Sequence, residues 1–330
     1  TLSYSGASLS LGANTLRISG GGAFSNTNSL VLDDAASKLH LSSITVGSVS
    51  TSVDSLGVVV ENDSTISNFA VSNITPVSIA SGKTLSGSIG ITAGSIKLTD
   101  TGSLASAVSM SGGILDADNS LTFSGALTQS GDITIDVAGE STLTYLGPSI
   151  SLGPNTLILS GGGTFTNTNP LELDQGQSQL NLSGIIASYI RTKSNNLGIT
   201  VDNSSTVTEF SVGHVTPVSI SPNQSFNGFI NVYQNSNLQL NNTGTLAADV
   251  TISGLGGTVE AQKSMTFSGS LQQVDQHEGF ELIIASGETM TYSGSEFDIG
   301  GHTFKLSGGG TFNNTNNLTL DNSGSKLAIS

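Results

Sequence analysis

The sequence predicts an all-β fold, a single right-handed parallel β-helix (β-solenoid), with about 20 residues per coil and roughly 16 coils. Three observations predict it: a long internal repeat, a shorter rhythm of apolar positions within that repeat, and a composition that disfavours helices. One such coil buries no apolar face alone, so the coils are expected to stack. Right-handed winding is the hand favoured by parallel crossover connections.

The composition indicates strands and turns. Only 10% of the residues are Asp, Glu, Lys or Arg and 41 are Gly, whereas ordinary globular proteins carry roughly 25% charged residues. Helix formers such as Glu, Lys and Gln are too sparse to build long amphipathic helices. Apolar and polar residues alternate instead, which is typical of strands with one buried face.

The long repeat aligns Tyr4 with Tyr145 and Phe24 with Phe165 at one constant offset. A third copy begins at Thr289 and breaks off at the end of the sequence, which led us to expect a longer parent protein. We predict one continuous solenoid over 1–330, with a first seven-coil block at 1–141, a second block at 142–288 and a truncated third block at 289–330.

The short rhythm is an apolar–any–apolar triplet, a few turn residues, then Ser or Thr and another apolar residue. The last apolar residue before each turn is Val60, Ile79, Leu98, Leu115, Ile135, Val201, Ile220, Leu240 or Val259. Within each block these positions are about 20 residues apart or slightly closer, a period typical of one solenoid coil. Short strands at a fixed period favour a solenoid over a sandwich.

The phrase "SGGGTFTNTN" begins at Ser160 and has close copies at Ser19 and Ser307. A phosphate-binding loop would need a Lys-Ser or Lys-Thr pair and a following helix, and neither is present. The three glycines are therefore predicted to form a corner of a coil. The Asn residues that follow are expected to stack on Asn in neighbouring coils and to satisfy backbone groups at the turn.

The charge of the chain restricts its partners. Nine Lys and Arg against 24 Asp and Glu give a net charge of −15, which disfavours nucleic acid and anionic lipid surfaces. The absence of Cys removes disulfides, thiolate metal sites and Cys nucleophiles. No cofactor is expected.

Asp116 and Asp118 resemble a catalytic carboxylate pair more than any other residues do. They lie two apart on a predicted strand, and glycoside cleavage needs two carboxyl groups at a fixed separation. In the second block the counterpart of Asp118 is Gln262. A solvated strand end is the alternative, and we expect no catalytic residues.

Metal ligands are expected, if anywhere, in the polar insertion that begins at Gln272. This insertion brings together the candidates Asp275, His277, Glu278 and Glu281. Hard cations accept clustered carboxylates, but a tolerated loop insertion without a ligand is the default interpretation, and we expect no metal. The other histidines are His40, His214 and His302, and none has the spacing of a zinc motif.

Coils of the form "LxLxxxGxLxL", with abundant Ser, Thr, Asn and Gly and no Cys, resemble the passenger domains of Gram-negative autotransporters and the filamentous-haemagglutinin type of adhesin. The resemblance covers essentially the whole chain. It implies a right-handed β-helix displayed outside a bacterial cell. The near-complete duplication of a seven-coil block departs from the irregular coils usual in such adhesins and favours a fibre or sheath component.

We therefore expect a non-catalytic, extracellular or cell-surface repeat protein, a rod or fibre segment of a bacterial adhesin or sheath. Expected partners are other copies joined end to end, neighbouring surface molecules, or glycans and host surfaces. We expect neither nucleic acid binding nor membrane insertion. The alternatives are a polysaccharide-active β-helix enzyme and a glycan-binding passenger domain.

Overall fold

The computed structural model describes residues 1–241, 243–253, 256–274, 279–295, 297–299, 301–316, 318 and 323–330. Every regular element in these ranges is a β-strand. The strands form parallel stacked coils, a β-solenoid of about 15 turns with about 21 residues per turn. The predicted all-β solenoid is confirmed, with slightly longer and fewer turns than expected, while its right-handed winding stays a prediction.

The chain divides into two compact units. The first unit comprises Thr1–Ile150 and Leu157–Asn169, and the second comprises Ser151–Thr156 and Pro170–Ser330. In both units each turn contributes one strand to a narrow sheet and one long or two short strands to a wide sheet. The strands Ile150–Ser151 and Thr156–Ser160 each contain a boundary between the units.

The described strands of the first unit follow the repeat. Those of its narrow sheet are Thr15–Ser19, Lys38–Ser42, Gly57–Val60, Ile74–Ile79, Ser95–Leu98, Ile114–Ala117, Ile133–Val137 and Thr156–Ser160. Those of its wide sheet are Leu2–Tyr4, Leu9–Ser10, Ala23–Asn26, Leu30–Leu32, Thr45–Thr51, Ser64–Val71, Thr84–Ile91, Ser103–Leu104, Ala107–Met110, Leu121–Phe123, Leu127–Gln129, Thr142–Tyr145, Ile150–Ser151 and Thr164–Asn167.

The second unit repeats this arrangement. Its described narrow-sheet strands are Gln179–Ser183, Gly198–Asn203, Val215–Ile220, Asn237–Leu240, Thr258–Ala261, Phe280–Ile284, Thr303–Ser307 and Lys326–Ile329. Its described wide-sheet strands are Leu171–Leu173, Ile186–Thr192, Ser205–Val212, Ser225–Val232, Thr245–Leu246, Asp249–Ile252, Met265–Phe267, Leu271–Gln273, Thr289–Tyr292, Phe297–Asp298 and Thr311–Asn314.

The core lies inside each stack of turns. In Gln179–Ser183, for example, Leu180 and Leu182 are fully buried while the residues between them face outward. Leu182 pairs with Val201, the inward residue of the following turn. Alternation along each strand thus buries one face, and parallel pairing continues that apolar column from turn to turn.

The predicted register needs correction at Leu115, Ile135 and Val259, because the last buried residues of their strands are Ala117, Val137 and Ala261. Leu98 pairs with Ala117 of the following turn, whereas Leu115 pairs with Ile96. The prediction that Leu115 is the last inward residue of its strand was therefore wrong. Ala117 is fully buried, but its small side chain was not recognised as the inward residue that closes the strand.

The triple glycine is a corner, as predicted. Ser160 ends a strand of the narrow sheet, and Thr164 begins the next strand of the wide sheet. Gly161 has φ of +105°, and a Cβ atom there would lie 2.3 Å from the carbonyl oxygen of Val137 in the preceding turn. Only glycine combines this backbone conformation with so close an approach.

The long repeat aligns Tyr4, Tyr145 and Tyr292 and so predicts equivalent environments for the three, which the structure shows for two of them. Tyr145 and Tyr292 are fully buried, each packed edge-on against a phenylalanine of the preceding turn, Phe123 or Phe267. Tyr4 is half-buried. It pairs with the turn that follows, and no described strand covers its other side.

Candidate functional site

The predicted carboxylate pair lies on the narrow sheet of the first unit. Asp116 is on the strand Ile114–Ala117 and Asp118 directly follows it. Lys97 occupies the position that pairs with Asp116 one turn earlier. Its Nζ atom is 3.3 Å from Asp116 Oδ2 and 3.0 Å from Asp118 Oδ1. One ammonium group therefore bridges both carboxylates.

The surroundings of this pair shift two pKa values. Partial burial raises the pKa of the Asp116 carboxyl, while Lys97 acts in the opposite direction. Hydrogen bonds to Asp118 and Asp116 raise the pKa of Lys97. In the next turn Asp136 pairs with Asp116 and accepts a hydrogen bond from Ser160. These carboxylates are thus engaged by side chains of adjacent turns.

Three residues of the predicted cation site, Asp275, His277 and Glu278, lie outside the described residues. The fourth, Glu281, is on the strand Phe280–Ile284 and accepts a charge-assisted hydrogen bond from Lys305 Nζ at 2.8 Å. It also accepts one from Ser307. Together these bonds, that of Lys305 first, hold the pKa of Glu281 below its usual range.

A surface depression of about 470 Å³ lies beside Glu281 and Lys305. Its lining includes Gly256, Thr258 and Phe280. Across the described part of the chain, no group of three or more His, Asp or Glu side chains is arranged to hold a metal ion. The depression is open to solvent, and the carboxylate in its lining is already paired with a lysine.

Of the histidines, His40 makes a defined polar contact. Its Nδ1 atom lies 3.1 Å from Glu61 Oε1, and Arg17 donates to both oxygens of the same carboxylate at 2.8 and 2.6 Å. The hydrogen bond with His40 and the charge of Arg17 lower the pKa of Glu61. His214 is exposed and His302 is half-buried.

A second charged cluster, on the wide sheet of the second unit, was missed by the sequence analysis. Glu172 is only 5% exposed, and its carboxylate binds the Arg191 guanidinium and, at 2.7 Å, Lys193 Nζ. Burial raises the pKa of Glu172, but these hydrogen bonds outweigh it and hold that pKa below its usual value. The sequence contained a signal for this cluster. Glu172 replaces Val31 of the first block, and Arg191 and Lys193 follow it about one turn later.

Serine and carboxylate side chains also link successive turns elsewhere. Ser151 Oγ donates to Asp174 at 2.5 Å, and Gly153 N donates to the same carboxylate at 3.0 Å. The same arrangement occurs at the equivalent positions of the first block, where Ser10 and Gly12 donate to Asp33. Further pairs of this kind are Ser78 with Asp100, Ser160 with Asp136, Ser264 with Glu288 and Ser270 with Asp249.

Comparison with known proteins gives no further guide to function. No protein-family model, curated protein or solved structure matches this chain. Among the described residues, no helix is long and apolar enough to cross a membrane.

Proposed function

We propose that the protein is a non-catalytic, extracellular repeat protein, a rod or fibre segment of a bacterial surface adhesin or sheath. The observation that carries the proposal is the use of its carboxylates. Most of those with defined contacts accept hydrogen bonds from the neighbouring turn, as Asp33 does from Ser10 and Gly12. Such bonds fix one turn to the next, which stabilises a stack whose repeats contact only their neighbours.

The candidate catalytic residues support the same reading. A retaining or inverting glycosidase needs one carboxyl to donate a proton and a second to act as nucleophile or base. Lys97 contacts both Asp116 and Asp118, so one ammonium group ties the two carboxylates together. We infer from this ion pair that the two carboxylates link turns, although burial raises the pKa of Asp116.

The enzyme alternative is tested with the double variant Asp116→Asn, Asp118→Asn. The wild-type chain and the variant are incubated with a panel of plant, bacterial and animal polysaccharides, and new reducing ends or unsaturated products are measured. We expect no turnover by either protein. Turnover by the wild type that disappears in the double variant would replace the structural function with an enzymatic one.

The proposed localisation is outside the cell, in keeping with the acidic, cysteine-free composition. It is tested on the producing cells, with an antibody raised against residues 1–330 and with protease added to intact cells. Surface labelling and loss of the chain on protease treatment are expected. A chain that the protease cleaves only after the cells are lysed would contradict the proposed localisation.

We also propose self-association through sheet edges. Each turn of the stack pairs with the next through parallel strands, as Lys326–Ile329 does with Thr303–Ser307. Strands of one copy can pair in the same way with strands of another, because backbone donors and acceptors at a sheet edge are a template for a further strand.

A further inference from the structure

The wide sheet of the second unit carries aromatic and charged side chains that the wide sheet of the first unit lacks at the equivalent positions. Tyr189 pairs with Glu209 of the next turn. Phe229, one turn further on, pairs with Asp249 of the turn that follows it. Alternation along these strands places the four residues on the outer face. Together with Asn231 and Tyr233, which follow Phe229 along the chain, they form what we call the aromatic strip.

The first unit provides an internal comparison, because the two blocks share the same strands. The positions of Tyr189, Glu209, Phe229, Asn231 and Tyr233 correspond in the first copy of the long repeat to Ser48, Asn68, Ser88, Gly90 and Thr92. Asp249 takes the place of Ala107, which pairs with Ser88. The first unit therefore presents a neutral surface of small residues where the second unit presents rings, carboxylates and an amide.

These substitutions leave the apolar core of the strands unchanged. The inward residues of the same strands keep their apolar character, as Val49 and Ile190 or Ile89 and Ile230 show, and all four are buried. The changes are confined to the outer face, where Tyr189 and Phe229 are half-buried. Tyr233 is 43% exposed, and exposed aromatic groups beside polar ones are characteristic of binding surfaces.

The charges around the strip nearly cancel. Glu172 binds Arg191 and Lys193, and Arg191 lies on the strand of Tyr189. The exposed carboxylates of Glu209 and Asp249 add the opposite sign. In a chain with a net charge of −15, this is a surface where neither an anionic nor a cationic ligand gains a clear electrostatic advantage.

The aromatic strip offers both hydrogen-bond donors and hydrogen-bond acceptors. Asn231 Oδ1 accepts a hydrogen bond from Ser253 at 2.7 Å, so its amide nitrogen remains as a donor. Asp249 Oδ1 accepts from Ser270 N and Oγ, both at 2.8 Å, and its second oxygen remains as an acceptor. Glu209 has a longer contact of 3.5 Å with Ser211.

We propose that the aromatic strip binds a neutral oligosaccharide. A sugar ring has an apolar face of C–H groups that packs on an aromatic ring, and a rim of hydroxyl groups that bond to carboxylates and amides. Tyr189 and Phe229 are two turns apart, roughly 10 Å at the spacing of parallel strands. The strip is therefore long enough to contact more than one sugar unit, and the inference does not depend on the proposed structural role.

The test uses the first unit as a guide to a variant that folds. The quadruple variant Tyr189→Ser, Glu209→Asn, Phe229→Ser, Tyr233→Thr places the residues of the first unit at the same positions of the second. The control is Leu197→Ser, which removes a side chain that is 56% exposed just before a narrow-sheet strand. Circular dichroism and thermal unfolding check that each variant keeps the wild-type fold.

Binding of all three proteins is measured on an array of neutral hexose and N-acetylhexosamine oligomers, with sialylated and sulfated glycans and an oligolysine peptide as further arms. We expect the wild type and the control to bind neutral oligomers and the quadruple variant to lose at least about tenfold in affinity. Failure to bind any neutral oligomer, equal binding by the quadruple variant, or binding of oligolysine alone would each overturn the proposal.

Discussion

Asn169 donates a hydrogen bond from its side-chain amide to the backbone carbonyl oxygen of Gly147, one turn earlier, at 2.9 Å. Asn28 makes the same bond to Gly6 at 2.7 Å, and Asn316 makes it to Gly294. The second Asn of each "NTN" phrase therefore satisfies backbone at a turn, as predicted. Its partner is a glycine carbonyl, and the expected stacking of Asn on Asn was wrong.

Asn169→Ala should lower the free energy of unfolding by about 1 kcal/mol, because it removes the donor to a carbonyl at the corner of a turn. Urea or thermal unfolding measures the change. Asn68→Ala, at an exposed position of the wide sheet, is the control and should change stability by less than about 0.5 kcal/mol. Equal losses in the two variants would show that the inter-turn bond has no particular role.

Glu172 should make stability depend on pH. Burial favours its neutral form, but hydrogen bonds from Lys193 and Arg191 outweigh burial and lower the pKa from its ordinary value of 4.5. The unfolded chain therefore takes up a proton before the folded one does, and stability falls as the pH drops below the ordinary value. Glu172→Gln should show a smaller fall between neutral and acidic pH than the wild type does.

Glu172→Ala should cost about 1 to 3 kcal/mol at neutral pH, because Arg191 and Lys193 lose their partner. Asp202→Ala, which removes an exposed carboxylate in the same unit, is the control for loss of one negative charge. Chemical unfolding at several pH values measures both effects. A Glu172→Gln variant with the pH profile of the wild type would place the acid sensitivity at other carboxylates.

Substitutions at Gly57 and Gly82 distinguish the cost of backbone strain from the cost of a steric clash. Both have positive φ, 81° and 69°, but a Cβ atom on Gly57 would lie 1.8 Å from the carbonyl oxygen of Pro76, whereas one on Gly82 would meet nothing within 4 Å. Gly82→Ala should cost about 1 kcal/mol. Gly57→Ala should cost several times as much, since two turns must move apart, and similar melting temperatures for the two variants would contradict this.

If copies pair through sheet edges such as that of the strand Lys326–Ile329, purified residues 1–330 should associate increasingly as their concentration rises. Sedimentation velocity over a range of concentrations measures this association. Leu327→Pro removes a backbone donor that faces the open side of the strand, and Ile329→Lys adds a charge there; together they should reduce association. Asp202→Asn is the matched surface control, and a wild-type chain that stays monomeric at every concentration would exclude this mode of assembly.

Much of the solenoid could be predicted because its strands share one local rule. Alternating apolar positions, glycine corners and a long repeat all recur in the sequence, so strand positions, coil length and the glycine corner at Gly161 follow from patterns that are visible along the chain. The pairing of Leu98 with Ala117 does not follow from these patterns. Alanine is small, so its position in the sequence gives only a weak signal that it faces the core.

The candidate site was less predictable, because its contacts join residues one turn apart. Lys97 precedes Asp116 by a full turn, and only the register of the sheet shows that they touch. Glu172, Arg191 and Lys193 were missed for the same reason. The differences between the two blocks on the wide sheet were visible in the sequence but carried no meaning until the strands showed that those residues share an outer face.

Most linking side chains reach the adjacent turn, as Ser151 does to Asp174 and Ser10 to Asp33, although Arg17 reaches Glu61 two turns away. This has a consequence for how such a gene changes in length. Recombination between equivalent positions of two copies of the long repeat joins a turn to the equivalent of its former neighbour, so the new junction inherits bonds that are already complementary. Gain or loss of a whole block is then nearly neutral for folding. Insertions of a few residues within a turn disturb only the contacts of that turn, and surface variation can accumulate in one block while its duplicate preserves the original.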